Sequence, residues 1–277
     1  MLANLKSRFD LLVHERYTLQ VDASAHERLR LKVLFIVAIL KLFNFIGGAW
    51  DIQWHVEIGR DSLWIPPHML VFFAFTTGLV VSLILIVYET YLARAGQPLA
   101  HSLRLGPLYA PGAAFGIVLG YLLALLSGVL DELWHEIFGI DATLWSPPHL
   151  SIMLSTMVVD FSLMLGIAAS ARRLGYGFNL KSPLFWGLVL TGAYAFESVN
   201  FQMGEAFIVG YRHGGVGLYG LFFPILVGIF LPLSMIVLIR LAKRYWVVLL
   251  ALGLTLLLQY LATGIAAAGF AILKPVS

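Results

Sequence analysis

Long apolar runs separated by short polar breaks occupy most of this chain. The runs fall near 31–50, 69–93, 107–130, 150–171, 183–203, 215–239 and 246–271, and each is long enough to cross a hydrocarbon core as a helix, which takes ~20 residues. The pattern predicts an all-α fold, a polytopic membrane helical bundle of about seven transmembrane helices. The polar breaks are too short for a soluble domain, so 31–277 reads as a single transmembrane domain behind a cytoplasmic N-terminal segment, 1–30. Within that segment, Ser24 followed by Glu27 reads as a capping box that opens a helix running into the first span. The stretch LANLKSRFDLLV reads as an amphipathic helix along the inner surface.

Composition agrees with lipid as the solvent. Of 277 residues, 60% are hydrophobic and 12% charged, more apolar surface than a soluble globule of this size can hide. The first 30 residues lack a compact apolar stretch with a small-residue cleavage site, so no cleaved signal peptide is expected and the first span serves as its own signal. Fourteen of the 18 lysines and arginines precede the first span or fall in loops on that same side, while Arg60, Arg212 and Lys274 fall on the other. That asymmetry predicts a cytoplasmic N-terminus and an outer C-terminus. The net charge of +3 is then a topology signal, and nucleic acid is not an expected partner. Cysteine is absent, which excludes disulfides and thiolate ligands, so any metal must be held by nitrogen and oxygen.

One polar break is written twice. WDIQWHVEIGRDSLWIPPHM at 50–69 is echoed by LDELWHEIFGIDATLWSPPHL at 130–150. Asp51 and His55 recur 80 positions later as Asp131 and His135, and His68 recurs 81 later as His149. Both breaks join an outward helix to an inward one, so they share the outer side, and the bundle is predicted to hold a parallel duplicated helical hairpin, about 31–93 and 107–171. Asp and His at i and i+4 lie on one helix face. The third residue follows Pro-Pro, and proline suits a helix start because its missing N–H has no partner to lose there. That histidine projects from the first turn of the next helix back toward the end of the previous one. Each hairpin can thus close an Asp/His/His triangle: Asp51, His55, His68 and Asp131, His135, His149. Interface anchoring accounts for Trp50, Trp54, Trp64, Trp134 and Trp145. It does not account for an acid four residues before one histidine and a second histidine 13 or 14 after. Such ligand sets suit copper, non-heme iron or zinc, which ligand type alone does not rank.

The motif Asp-x3-His-x12-His, with Trp before its first His, Arg-Asp in the loop and Pro-x-His at its end, resembles the C subunit of the copper-containing membrane monooxygenases, the particulate methane and ammonia monooxygenase family. That subunit carries two such sets in chain order, spaced 4 and 13, then 4 and 14, as at 51, 55, 68 and 131, 135, 149 here. The resemblance covers about 45–175. It implies copper at neighbouring sites, which the charge asymmetry puts at the outer face of what is expected to be a prokaryotic inner membrane. It also implies oxidation of a small apolar substrate or ammonia with O2, and A- and B-type subunits as partners, with a homo-oligomer as the alternative. This chain departs from the family pattern at Asp131, where the family has Asn, and in the three spans that follow the second motif. A non-catalytic copper-binding or copper-delivery protein is the competing reading, although only Met69 and Met203 lie near the motifs. A zinc hydrolase is disfavoured by the lack of an HExxH motif.

The fifth and sixth runs, 183–239, read as a degenerate third hairpin in which Asn200 precedes His213 by the 13 residues that separate His55 from His68. Phe196 stands where the acid would be. Glu197, Asn200 and His213 are candidates to support the ligands, and Glu132, Glu136 and Asp141 compete to accept the imidazole N–H groups. The final helix is expected at 246–271. Lys41 and Asp160 are charges placed in mid-membrane, ~15 Å from the motifs at 1.5 Å per residue; they read as an ion pair or as a proton route. His14, His26 and His101 read as solvated surface on the inner side.

Overall fold

A computed structural model describes the backbone of residues 23–58, 62–97, 99–139, 146–212 and 218–273, with side chains except at 56, 200–212 and 218–224. Seven helices are found among these residues: α1 (Ala23–Glu57), α2 (Pro66–Arg94), α3 (Gly112–Phe138), α4 (Pro147–Arg173), α5 (Pro183–Arg212), α6 (Leu218–Ala242) and α7 (Val247–Leu273). Six of them are long and apolar enough to cross a membrane. The remaining one, α5, is 30 residues long and buries Phe185, Leu188, Val189 and Tyr194 inside the bundle. The expected amphipathic segment and His14 lie outside the described residues.

The third span starts later than 107. Strands β1 (Leu103–Leu105) and β2 (Leu108–Ala110) form an antiparallel hairpin with Leu105 opposite Leu108. Gly106 sits at φ +59, the left-handed conformation that a two-residue hairpin turn requires at that position. The hairpin is tied to α2 by the Thr90 hydroxyl, which accepts from Tyr109 N–H at 2.9 Å. Only after Pro111 does α3 begin.

The first four helices form a closed ring in which α1 packs on α2 and α4, and α3 packs on α4 and α2. Exchanging α1 with α3 and α2 with α4 preserves every one of those contacts, as a pseudo-twofold axis between two parallel hairpins requires. Small residues set the close approaches, the usual device where lipid gives helices no hydrophobic drive to associate. A Cβ at Gly47 would lie 2.7 Å from Val71 Cγ2, and one at Gly120 would lie 2.7 Å from the Ser155 carbonyl oxygen. Beyond the ring, α5 packs on α4, α6 and α7, and α7 also packs on α1.

At the end of the ring away from the two motifs, a buried ionic network replaces the surface charges expected there. Arg30, 1% exposed, donates from Nε to Glu89 Oε1 at 2.6 Å and from Nη2 to Glu89 Oε2 at 2.9 Å. Its Nη1 donates to Glu27 Oε2 at 2.8 Å. Glu27 also accepts from Ser170 at 2.7 Å and Arg173 at 3.1 Å, so the network joins α1, α2 and α4. One expectation is corrected here. His26 is buried, with Nε2 3.1 Å from Glu89, and is not solvated surface, because a carboxylate inside the helix ring needs partners. Ser24 falls within the helical part of α1, and Glu27 accepts from Arg30, Arg173 and Ser170. His101, by contrast, is exposed.

Candidate metal centre

Both polar breaks fold by the same local rule. Ile65 and Ser146 are extended N-cap residues (ψ 152° and 153°), each followed by two prolines at the first positions of α2 and α4. Proline's fixed φ and missing N–H fit those positions, so His68 and His149 become the third residues of their helices. Each then faces the last turns of the preceding helix, where Asp51 and His55 sit on α1, and Asp131 and His135 on α3.

In the first hairpin, His68 Nε2 lies 3.1 Å and His55 Nε2 3.7 Å from Asp51 Oδ1. One ligand atom from each of Asp51, His55 and His68 falls within 4.8 Å of the other two, so a single ion can be shared. His68 Nδ1 is 3.0 Å from the Ser62 carbonyl oxygen. A carbonyl can only accept, so Nδ1 carries the proton and Nε2 is turned toward Asp51, the arrangement that presents a lone pair once a metal displaces any proton shared with the carboxylate. The set is half-buried.

The second hairpin repeats the layout more loosely: among the described residues only the first set brings one ligand atom from each of its three side chains within 4.8 Å of the others. His149 Nε2 lies 3.5 Å from Asp131 Oδ2 and His135 Nε2 3.8 Å from Asp131 Oδ1. His149 Nδ1 is 2.9 Å from the Ser146 hydroxyl. Asp131 is more enclosed than Asp51, at 7% exposure. Of the carboxylates expected to orient the imidazoles, Glu132 is half-buried on α3, Glu136 is exposed and Asp141 lies outside the described residues. A backbone carbonyl lies beside Nδ1 of His68 and a serine hydroxyl beside that of His149.

The two triads meet. The His55 and His135 rings are 6.5 Å apart between centroids, and those of His135 and His149 6.2 Å. Asp51, His68, Asp131 and His149 all line one cavity of about 170 Å3 that runs down between the helices to Lys41. Glu132 and Glu197 line it too, so four carboxyl side chains line a cavity that holds one ammonium. Glu197 brings α5 to the cavity wall; Asn200 lies where side chains are not described, and His213 lies outside the described residues. Val71, Phe72, Phe75, Ala124 and Ile152 make the middle of the cavity apolar.

At the inner limit of the cavity the two mid-membrane charges pair, Lys41 Nζ to Asp160 Oδ1 at 2.6 Å. Ser198 donates to Asp160 Oδ2 at 3.1 Å, and the Tyr194 ring centroid is 5.6 Å from the ammonium. Sequence reading did not single out Tyr194, Ser198, Ser62 or Ser146. The serines carried a signal in hindsight of geometry alone: Ser146 is the cap residue before Pro-Pro, and Ser62 lies six before His68. The tryptophans divide by role. Trp50 packs toward Gly269 and Trp54 against Phe270 at 6.2 Å, both on α7, whereas Trp64 is 74% exposed as an interface residue would be. No family model, curated protein or solved structure matches this chain.

Proposed function

We propose that this chain is the metal-binding subunit of a copper-dependent membrane monooxygenase, similar to the C subunit of the particulate methane and ammonia monooxygenases, which oxidises a small apolar substrate or ammonia with O2. The observation that carries the reading is the set Asp51, His55, His68, close enough to share one ion, with the matching residues Asp131, His135 and His149 abutting it at the mouth of one cavity. Copper held there supplies the activation of O2, which no side chain of this protein can do. The protein's own part is different. His55, His68, His135 and His149 offer imidazole nitrogens, and Asp51 and Asp131 offset the charge of the ions. The Ser62 carbonyl and Ser146 hydroxyl hold two of the rings in orientation. Apolar walls from Val71, Phe72 and Phe75 keep water scarce beside the ligands and admit an apolar substrate. The lysine and arginine asymmetry supports a site on the outer face of the membrane, where A- and B-type subunits would complete the complex.

The test is O2-dependent oxidation of short alkanes and of ammonia by native membranes carrying this chain, compared with the His68→Ala variant. The reading predicts oxidation that needs copper and falls at least tenfold in the variant. Copper that binds and exchanges while no substrate-dependent O2 uptake occurs would instead identify a delivery protein, and zinc without copper would exclude both.

A further inference from the structure

The floor of the cavity is built as a head-group site. Asp160 is fully buried and stands behind Lys41, with its second oxygen occupied by Ser198, so it holds the ammonium in place. Lys41 itself lines the cavity, with Asn44 one turn further along the same face of α1. An ammonium has three N–H donors, and Asp160 Oδ1 takes one. Above this polar floor Val71, Phe72, Phe75 and Ile152 make the wall apolar, with Glu197, the neighbour of Ser198 on α5, on one side and Asp51 and Asp131 at the mouth. Polar floor and metal-binding mouth are ten residues apart on α1, or ~15 Å.

We infer that this cavity binds a small neutral amphiphile, head down: an oxygen that accepts from Lys41, and an alkyl chain that fills the apolar middle and ends below the two Asp/His/His sets. A neutral head fits better than an anionic one for two reasons. The charge of Lys41 is already compensated by Asp160, so a carboxylate would bring an unpaired charge into a low-dielectric site. It would also share the cavity with Asp51, Asp131, Glu132 and Glu197. Size sets the chain length: a cavity of about 150 Å3 holds benzene, so about 170 Å3 takes a chain of about six carbons. The inference deepens the proposed function by naming the class of molecule held beside the metal, and rests on it only for what happens to the far end of the chain.

The experiment measures binding of hexan-1-ol, hexane and hexanoate to the full chain in lipid nanodiscs by ligand-observed NMR, with protein-free nanodiscs as blank. Metal content is determined on the same samples. Hexan-1-ol is expected to bind about tenfold more tightly than hexane, as a hydrogen bond to a charged donor gives, and more tightly than hexanoate. The double variant Lys41→Met, Asp160→Leu removes donor and counter-ion together; it is expected to keep hexane and lose the preference for the alcohol. Phe72→Trp, which narrows the cavity away from the pair, is expected to weaken both ligands equally. Equal binding of hexane and hexan-1-ol by the parent, tighter binding of hexanoate, or full binding in Phe72→Trp overturns the inference. A metal-free protein that still shows the alcohol preference would leave it standing while the oxygenase reading fails; a metal-loaded protein without the preference does the reverse.

Discussion

Single residues carry two kinds of work here, and they respond differently to substitution. Lys41 and Asp160 are 3% and 0% exposed, so breaking the pair from one side strands a charge. Lys41→Met is expected to cost about 3–5 kcal/mol, while Lys41→Met with Asp160→Leu is nearly neutral. Thermal unfolding of the two single variants and the double decides this, and three variants as stable as the parent would show that the pair contributes nothing. Ser146 is a supporting residue of the other kind. Ser146→Ala removes the hydroxyl beside His149 Nδ1 and is expected to weaken metal binding at the second set by about 10- to 100-fold. Titration with copper would show the first set unchanged, and an unaffected second set would contradict the orienting role. The pairing of Lys41 with Asp160 was legible in the chain because both interrupt apolar runs at matching distances from the motifs. Ser146 was not, because a serine before two prolines reads only as a helix cap. His26 misled for the opposite reason: a histidine near arginines suggests a wet surface unless the partner Glu89, 63 residues away, is known.

The helices show where sequence pattern suffices and where tertiary contact takes over. Apolar runs marked seven helices, since lipid requires continuous hydrogen-bonded segments of known length. Pro-Pro-His marked the starts of α2 and α4. The hairpin at 103–110 escaped notice, because Leu103, Leu105 and Leu108 merge by hydropathy into the run that becomes α3, although Gly106-Pro107 is turn chemistry. The packing of α3 on α4 depends on Gly120, where a side chain would meet the Ser155 backbone. Gly120→Val is expected to destabilise by about 1–3 kcal/mol, as overpacking does, and to disturb the second metal set before the first, because α3 and α4 carry Asp131, His135 and His149. Denaturation in detergent together with copper content checks both parts. Equal stability would mean the helices separate without cost.

At the scale of the molecule, duplication explains the site. Two copies of one hairpin, arranged in a ring with α1 beside α4 and α3 beside α2, bring their histidine-bearing ends together at one mouth. Neither hairpin alone encloses the cavity; α5 adds Tyr194, Glu197 and Ser198 to its wall, and α7 backs Trp50 and Trp54 of α1. The repeat and its spacing were visible in the chain, and so was Glu197 on α5 as a candidate beside the ligands, whereas Tyr194, Ser198 and the packing of α7 were not, since they depend on which faces of apolar helices meet. On the proposed reading the two sets hold copper as neighbours, and metal analysis of protein purified from its native membrane decides it. The parent is predicted to carry about two copper ions per chain, His135→Ala to lose the second while keeping most of the first, and His55→Ala with His135→Ala to carry almost none. Zinc in place of copper, or undiminished copper in the double variant, would contradict the account.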